Sequence, residues 1–323
     1  MTDEDPAPLI AIPENPAPNG GIAKWLISAD QVRLRAAFWQ PDGTAKGSFL
    51  ILPGRTEFIE KYFELCGELL QRGFAVGILD WRGQGLSDRP LDDSHKGHVG
   101  TFSAYLTDLD CLISAAQAHP LPPPYHILAH SMGAHLSLRY LHRHPGIVAQ
   151  AILCSPMVHI RTQFMIHAVA RTISFVGNLF GCAEAYVPGG RVYDPDRDRF
   201  EGNLLTGSAD RFARTAHLVR ADPRLALGSP TFGWMEAAYR SMAQAMRPEF
   251  CAAITTPILM LYGSEEKISD PHYQQRVAGQ LPNCTGQCLQ GASHEILQES
   301  DAIRNRFWQA FDAFCGKADQ PAG

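Results

Sequence analysis

Residues 125–146 read YHILAHSMGAHLSLRYLHRHPG. Tyr125–Ala129 is an apolar run of strand length, His130-Ser131-Met132-Gly133 follows as a tight turn, and the rest runs on as a helix. A strand, a sharp turn and a helix with serine at the apex hold that hydroxyl out at the edge of a sheet, as a nucleophile elbow does. The serine of such a turn is strained, so the residues two before and two after it must not crowd the backbone. Gly133 meets that demand, and Ala129, standing where the pattern has its first glycine, is small enough. The competing reading of Ser131 is a plain helix N-cap.

A serine hydroxyl is inert at neutral pH without an adjacent base. His294 fits that role. It follows a short strand predicted at Thr285–Gln290, in the loop Gly291-Ala292-Ser293-His294-Glu295, late in the chain as the order Ser, acid, His requires. His130 and His135 share the turn and helix with the serine and read as packing or surface residues. The carboxylate that holds the base in its working tautomer should follow the strand predicted at Pro257–Tyr262. The loop there offers Glu265, Glu266 and Asp270. Glu266, a few residues past the strand end, is favoured; Asp270 is second, and Glu265 is expected to be exposed. Two preorganised N–H donors are needed for the oxyanion. The backbone of Met132 at the helix start supplies one, and that of Arg55, after the close-approach residue Gly54 in Pro53-Gly54-Arg55-Thr56-Glu57, supplies the other.

Around the elbow the chain alternates short apolar strands with helices. Strands are predicted at Phe49–Leu52, Ala75–Leu79, Tyr125–Ala129, Ala151–Cys154 and Pro257–Tyr262, and helices at Ile59–Gln71 and Phe102–His119, after an opening antiparallel hairpin at Ile22–Ser28 and Val32–Trp39. Near-continuous apolar strands mean a parallel sheet covered on both faces, and right-handed crossovers make it doubly wound. The rhythm stops after Ser155-Pro156 for about 100 residues, too long for an ordinary connection. The reading is therefore a core of residues 22–156 and 249–315 with a mainly helical lid at 157–248. A helix is expected over Arg161–Phe180, where Met165, Val169, Ile173, Val176 and Phe180 share a face. Residues 1–21, acidic and proline-rich, read as a disordered or extended lead-in, and 316–323 as a disordered tail.

Charge and composition exclude other classes. Net charge is −5, unsuited to nucleic acid. The lid differs in sign, with eleven Arg, no Lys and eight acids over 157–248. Those arginines are either a solvated face or a surface for anionic lipid and phosphate headgroups, with Arg211 and Arg214 as candidate headgroup contacts. Eight scattered cysteines lack zinc spacing and suit reduced cytosolic thiols. The acidic, proline-broken start lacks the pattern of a secretory signal, and no run is long enough to span a membrane. Asp80-Trp81-Arg82-Gly83-Gln84-Gly85 lacks the third glycine of a dinucleotide fingerprint and reads as a structural loop near the site.

Taken together, Pro53-Gly54-Arg55, Asp80 to Gly85, Lys96-Gly97-His98-Val99, Ala129 to Gly133 and Gly291 to Leu297 resemble the monoglyceride lipase and bacterial lysophospholipase group of α/β-hydrolases, over most of residues 45–312 and least in the lid. Pro-Gly-Arg in place of His-Gly, Ala129 in the elbow and Glu266 as the acid are similar to its lysophospholipase branch. The resemblance implies the α/β-hydrolase fold with a lid and hydrolysis of one acyl chain from a glycerol-type ester. It also implies no metal or organic cofactor, and peripheral contact with the inner membrane of a bacterium; the cysteines and the acidic start add the expectation of a cytoplasmic chain, not secreted. Other chemistries of the fold (amidase, aminopeptidase, cofactor-free haloperoxidase) and a noncatalytic binding role remain rival expectations.

Overall fold

The computed structural model describes residues 6–118, 121–161 and 167–316. β1 (Ile22–Ile27) and β2 (Arg33–Trp39) form the expected antiparallel hairpin, and β2 runs antiparallel to β4 (Ala75–Leu79). From there the sheet is parallel, through β3 (Ser48–Leu52), β5 (Tyr125–His130), β6 (Gln150–Cys154), β7 (Ile258–Gly263) and β8 (Cys284–Leu289). The order across the sheet is β1-β2-β4-β3-β5-β6-β7-β8, so β5 lies inside it between β3 and β6.

Both faces of β3, β4, β5, β6 and β7 are buried, which explains their continuous apolar sequence; β1 and β8 at the sheet edges are partly exposed. On β3, Leu50 and Leu52 pack into one core with α2 (Ser103–Ala118) and α3 (Ser131–Arg143); Phe49 and Ile51 pack into the other with α1 (Phe63–Gln71), whose expected first turn, Ile59–Tyr62, is a 3-10 turn. The second core is closed by the last helix, through Phe307, Trp308 and Phe311. Between β6 and β7 the chain leaves the sheet and forms α4 (His167–Leu179), α5 (Ala209–Ala221), α6 (Phe232–Ala245) and α7 (Pro248–Ala252) before returning. α8 (Pro271–Gln280) and α9 (Asp301–Cys315) complete the fold. Of the helix expected over Arg161–Phe180, the described part is His167–Leu179; Met165 lies outside the described residues, as do 1–5 and 317–323 of the two segments at the chain ends.

Of the two readings of the lead-in, residues 6–21 follow the extended one: they are anchored on the core. Ala7 N–H donates to Ala23 O at 3.0 Å, Ile10 N–H to Glu60 at 3.0 Å, and the Asn15 amide to Glu60 O at 2.8 Å. The Trp39 indole and the Arg35 guanidinium donate in turn to the carbonyls of Pro18 and Pro8, and Ala7, Leu9 and Ala17 pack on the core. Prolines cannot donate, which makes such a segment look unstructured; its carbonyls still accept from groups remote in the chain.

Candidate active site

Ser131 sits at the end of β5 as the first residue of α3 with φ +48°, a left-handed conformation that costs a non-glycine residue about 1–3 kcal/mol. The buried strand and helix on either side hold it there. The turn is tight because α3 presses on the end of β3: a Cβ on Gly133 would lie 2.1 Å from the Leu52 carbonyl oxygen. Only glycine permits this approach, which brings the loop after β3 against the elbow.

His294 Nε2 is 3.0 Å from Ser131 Oγ, and its Nδ1 is 2.6 Å from Glu266 Oε2. All three side chains are buried. The other oxygen of Glu266 accepts the N–H groups of Ile268 at 2.7 Å and Ser269 at 3.1 Å. Burial pushes this carboxyl up, and the charge and hydrogen bond of His294 with the two backbone N–H groups outweigh it, so it stays below the usual glutamate value and ionised at neutral pH. Asp270 is turned away: it caps α8 through the His272 N–H at 3.0 Å and lies 3.4 Å from Arg161. Glu265 is exposed. The N–H of Met132, in the first turn of α3, has no partner within its helix.

A second layer, not anticipated from sequence, surrounds the triad. His130 Nδ1 faces the Glu57 carboxylate and its Nε2 faces the main-chain oxygen of His294, both at 3.1 Å. Two acceptors require two ring protons, so His130 is an imidazolium. Burial opposes that charge, but Glu57 prevails and raises the histidine above its ordinary 6.5. Glu57 in turn accepts from Gly54 N–H and Tyr62 Oη, and Lys61 bridges Glu57 at 3.0 Å to Glu295 at 2.6 Å. Burial again opposes the carboxylate, and Lys61 and His130 hold Glu57 well below its usual value. This network ties the loop after β3 to the loop carrying His294. Glu57 and Glu295 fall within the loops already quoted, but their burial leaves no local signal in the sequence.

Asp80 to Gly85 is the structural loop expected. The Trp81 indole donates to Pro53 O at 2.8 Å, Gln84 accepts from Thr56 N–H at 2.6 Å, and Asp80 accepts from Ile59 N–H at 2.9 Å, all fixing the same segment after β3. The proposed headgroup arginines sit elsewhere. Arg211 donates to Glu64 at 2.6 Å and Asp301 at 2.7 Å, and Arg214 to Glu64 at 2.8 Å. Despite half-burial, these arginines and Arg304 bring the Glu64 carboxyl down to about 2. Their charge pins α5 to α1 rather than facing a ligand. His135 is buried, 2.6 Å from Ser241 Oγ. Among the described residues no group of three or more His, Cys, Asp or Glu side chains is arranged to hold a metal ion.

A serine on a strained elbow, hydrogen-bonded to a histidine oriented by a buried carboxylate at the C-terminal edge of a parallel sheet, defines a serine hydrolase of the α/β-hydrolase class. Residues 43–301 match the family described as serine aminopeptidase, S33, and the chain belongs to that family. It is 34% identical to lysophospholipase L2 of Escherichia coli over 85% of this chain and 82% of that protein. It is 27% identical to the monoacylglycerol lipase of Mycolicibacterium smegmatis over 73% and 76%. The solved monoglyceride lipase of Saccharomyces cerevisiae superposes with a TM-score of 0.71 at 18% identity, covering 88% of this chain and 92% of that one.

Proposed function

We propose that this enzyme hydrolyses the single acyl ester of a glycerol-type lipid, as a lysophospholipase or monoacylglycerol lipase. The observation that carries this reading is the unbroken relay from Glu266 through His294 to Ser131, at 2.6 and 3.0 Å. His294 takes the proton of Ser131 as Oγ attacks the ester carbonyl, and the N–H groups of Arg55 and Met132 receive the oxyanion. His294 then protonates the departing glycerol oxygen. In the second half it deprotonates a water that attacks the acyl-enzyme, and Ser131 is regenerated. Glu266 stays ionised and balances the transient imidazolium. Lysophospholipase L2 of Escherichia coli and the monoacylglycerol lipase of Mycolicibacterium smegmatis, both more than a quarter identical to this chain, carry lipid-ester names, which favours esters over the amide chemistry in the family's description.

The insertion between β6 and β7 acts as a lid that meets the lipid surface. On and just after α4, Phe175, Leu179 and Phe180 are 51%, 70% and 77% exposed, an apolar edge with Arg171 also exposed on the helix. Large apolar side chains grouped in this way suit insertion at a lipid interface. No helix among the described residues is long and apolar enough to cross a membrane. All eight cysteines are free thiols, which favours a reducing, cytoplasmic setting with peripheral membrane contact.

The test is a panel of lysophospholipid, monoacylglycerol, short p-nitrophenyl ester and aminoacyl amide, offered in micelles and on anionic liposomes. Wild type should cleave the esters in preference to the amide, and Ser131→Ala should lose both hydrolysis and labelling by a fluorophosphonate. Leu179→Glu with Phe180→Glu should lose the activation by liposomes while keeping the short ester. Preferred cleavage of the amide, or activity surviving in Ser131→Ala, overturns the assignment.

A further inference from the structure

Two arginines near the site have no carboxylate within hydrogen-bond reach among the described residues, and they use their donors differently. Arg89 spends its guanidinium on five main-chain carbonyls, those of Gly83, Ser94, Gly85, Arg224 and Ala226, at 2.8 to 3.2 Å. That is a structural clamp between the loop after β4 and the segment after α5. Arg55 donates to one carbonyl, that of Gly228 at 2.6 Å, with its guanidinium 5.2 Å from the centre of the Trp234 ring. Its Nε is buried with no hydrogen-bond partner among the described residues. The ionisable neighbours that bear on it are the hydroxyls of Tyr105 and Tyr186, and burial pushes the guanidinium down to about 10, still charged at neutral pH. A cation withdrawn from water with donors left over is costly, and an anion that takes those donors recovers the loss.

The space beside it suits such an anion. Arg55, Arg191, Asp194, Arg197, Asp198 and Ser229 line part of a cleft of about 210 Å³. Its two carboxylates are engaged, Asp194 with Arg197 at 3.0 Å and Asp198 with the Tyr193 hydroxyl. Arg191 is exposed and, among the described residues, forms no ion pair; three arginines face two carboxylates in the cleft, so one positive charge remains in surplus. That volume is many times the space one water needs, room for a phosphate group with a substituent. Position matters as much as charge. Arg55 follows Gly54 in the loop held against the elbow, and the same residue offers its backbone N–H to the oxyanion in the mechanism above. In a lysophospholipid the phosphorus lies six bonds from the ester carbonyl, a span of roughly 7 Å. The arginine side chain spans a similar length from its own backbone.

We propose that Arg55, assisted by Arg191, binds the phosphodiester of a lysophospholipid while the ester lies at Ser131, so that this cleft sets the preference for lysophospholipid over monoacylglycerol. The assignment rests on the lipid-ester reading and fails separately from it. The fork of a guanidinium suits bidentate phosphate contact, which an ammonium does not reproduce. The experiment measures kcat/KM for a lysophosphatidylcholine and a monoacylglycerol of the same acyl chain, in the same micelles, for wild type, Arg55→Gln, Arg55→Lys and the exposed-site variant Arg191→Gln. The ratio of the two values cancels any shared effect on the oxyanion donors. It should fall at least tenfold in Arg55→Gln, partway in Arg55→Lys and severalfold in Arg191→Gln. Inorganic phosphate should compete with lysophosphatidylcholine in wild type and lose that effect in Arg55→Gln, or in Arg191→Gln if the former does not fold. A ratio unchanged in both glutamine variants overturns the proposal, and if phosphate still alters turnover through these arginines, the cleft belongs to the free anion. Wild type that takes the fluorophosphonate at Ser131 but cleaves neither lipid overturns the lipid-ester reading instead.

Discussion

Replacing Glu266 by glutamine tests the relay at its least obvious joint. One carboxylate oxygen accepts two backbone N–H groups, from Ile268 and Ser269, and the other accepts the proton on His294 Nδ1. An amide at this place must put its oxygen where the two N–H donors point, which turns its NH2 toward Nδ1. The imidazole then has to accept at Nδ1 and carry its proton on Nε2, facing Ser131 Oγ as a donor instead of a base. Flipping the amide restores the tautomer but sets NH2 against two N–H groups, at about 1–3 kcal/mol each. The lost negative charge adds to this, since the imidazolium of the transition state is no longer balanced. Loss of the working tautomer in such triads costs about 10⁴ in rate, equivalent to about 5 kcal/mol at 1.36 kcal/mol per decade. We expect Glu266→Gln to lose at least about 10³ in kcat/KM on a p-nitrophenyl ester, with an unchanged far-UV spectrum and melting temperature close to wild type. Asp270→Asn is the matched control. Asn caps a helix as well as Asp does, and the partly exposed Arg161 pair contributes about 0–1 kcal/mol, so activity should stay within about threefold. If Glu266→Gln keeps activity within tenfold of wild type, or Asp270→Asn loses more, the relay as described is wrong.

Two further outcomes follow from the surrounding geometry. Gly133→Ala places a methyl 2.1 Å from the Leu52 carbonyl, so helix and loop must separate; urea denaturation should show a loss of about 1–3 kcal/mol and ester turnover should collapse, and a fully active, equally stable variant would refute the close-approach account. His130 has a raised value in the fold, so its pairing with Glu57 stabilises fully below 6.5 and is lost as pH rises through that raised value. The wild-type urea midpoint should therefore drop across the window above pH 6.5 more steeply than that of His130→Asn, and parallel slopes would remove the imidazolium assignment.

Much of the fold was legible locally. Apolar runs at Ala75–Leu79 and Tyr125–Ala129 need only a sheet covered on both faces, and they form β4 and most of β5 as read. Ser131 could be singled out because strand, turn and helix are contiguous, and His294 because chain order leaves few histidines after the last strands. What the sequence determined by itself was therefore periodicity and order: a doubly wound sheet, an interruption after β6, and a serine and histidine candidate. The choice between Glu266 and Asp270 depended on which carboxylate the loop turns inward and which one caps α8. The pairing of Arg211 with Glu64, the anchoring of residues 6–21, the bridge from Lys61 to Glu295 and the unsatisfied Arg55 were decided only by tertiary structure. The reason is range. Amphipathic patterns repeat within a few residues, whereas these partners lie 147, 50 and 234 positions apart in the first three cases. Hydrogen bonds and desolvated charges act over a few ångströms of space, and nothing in the local spelling of a charged residue says whether folding will bring a partner within that distance.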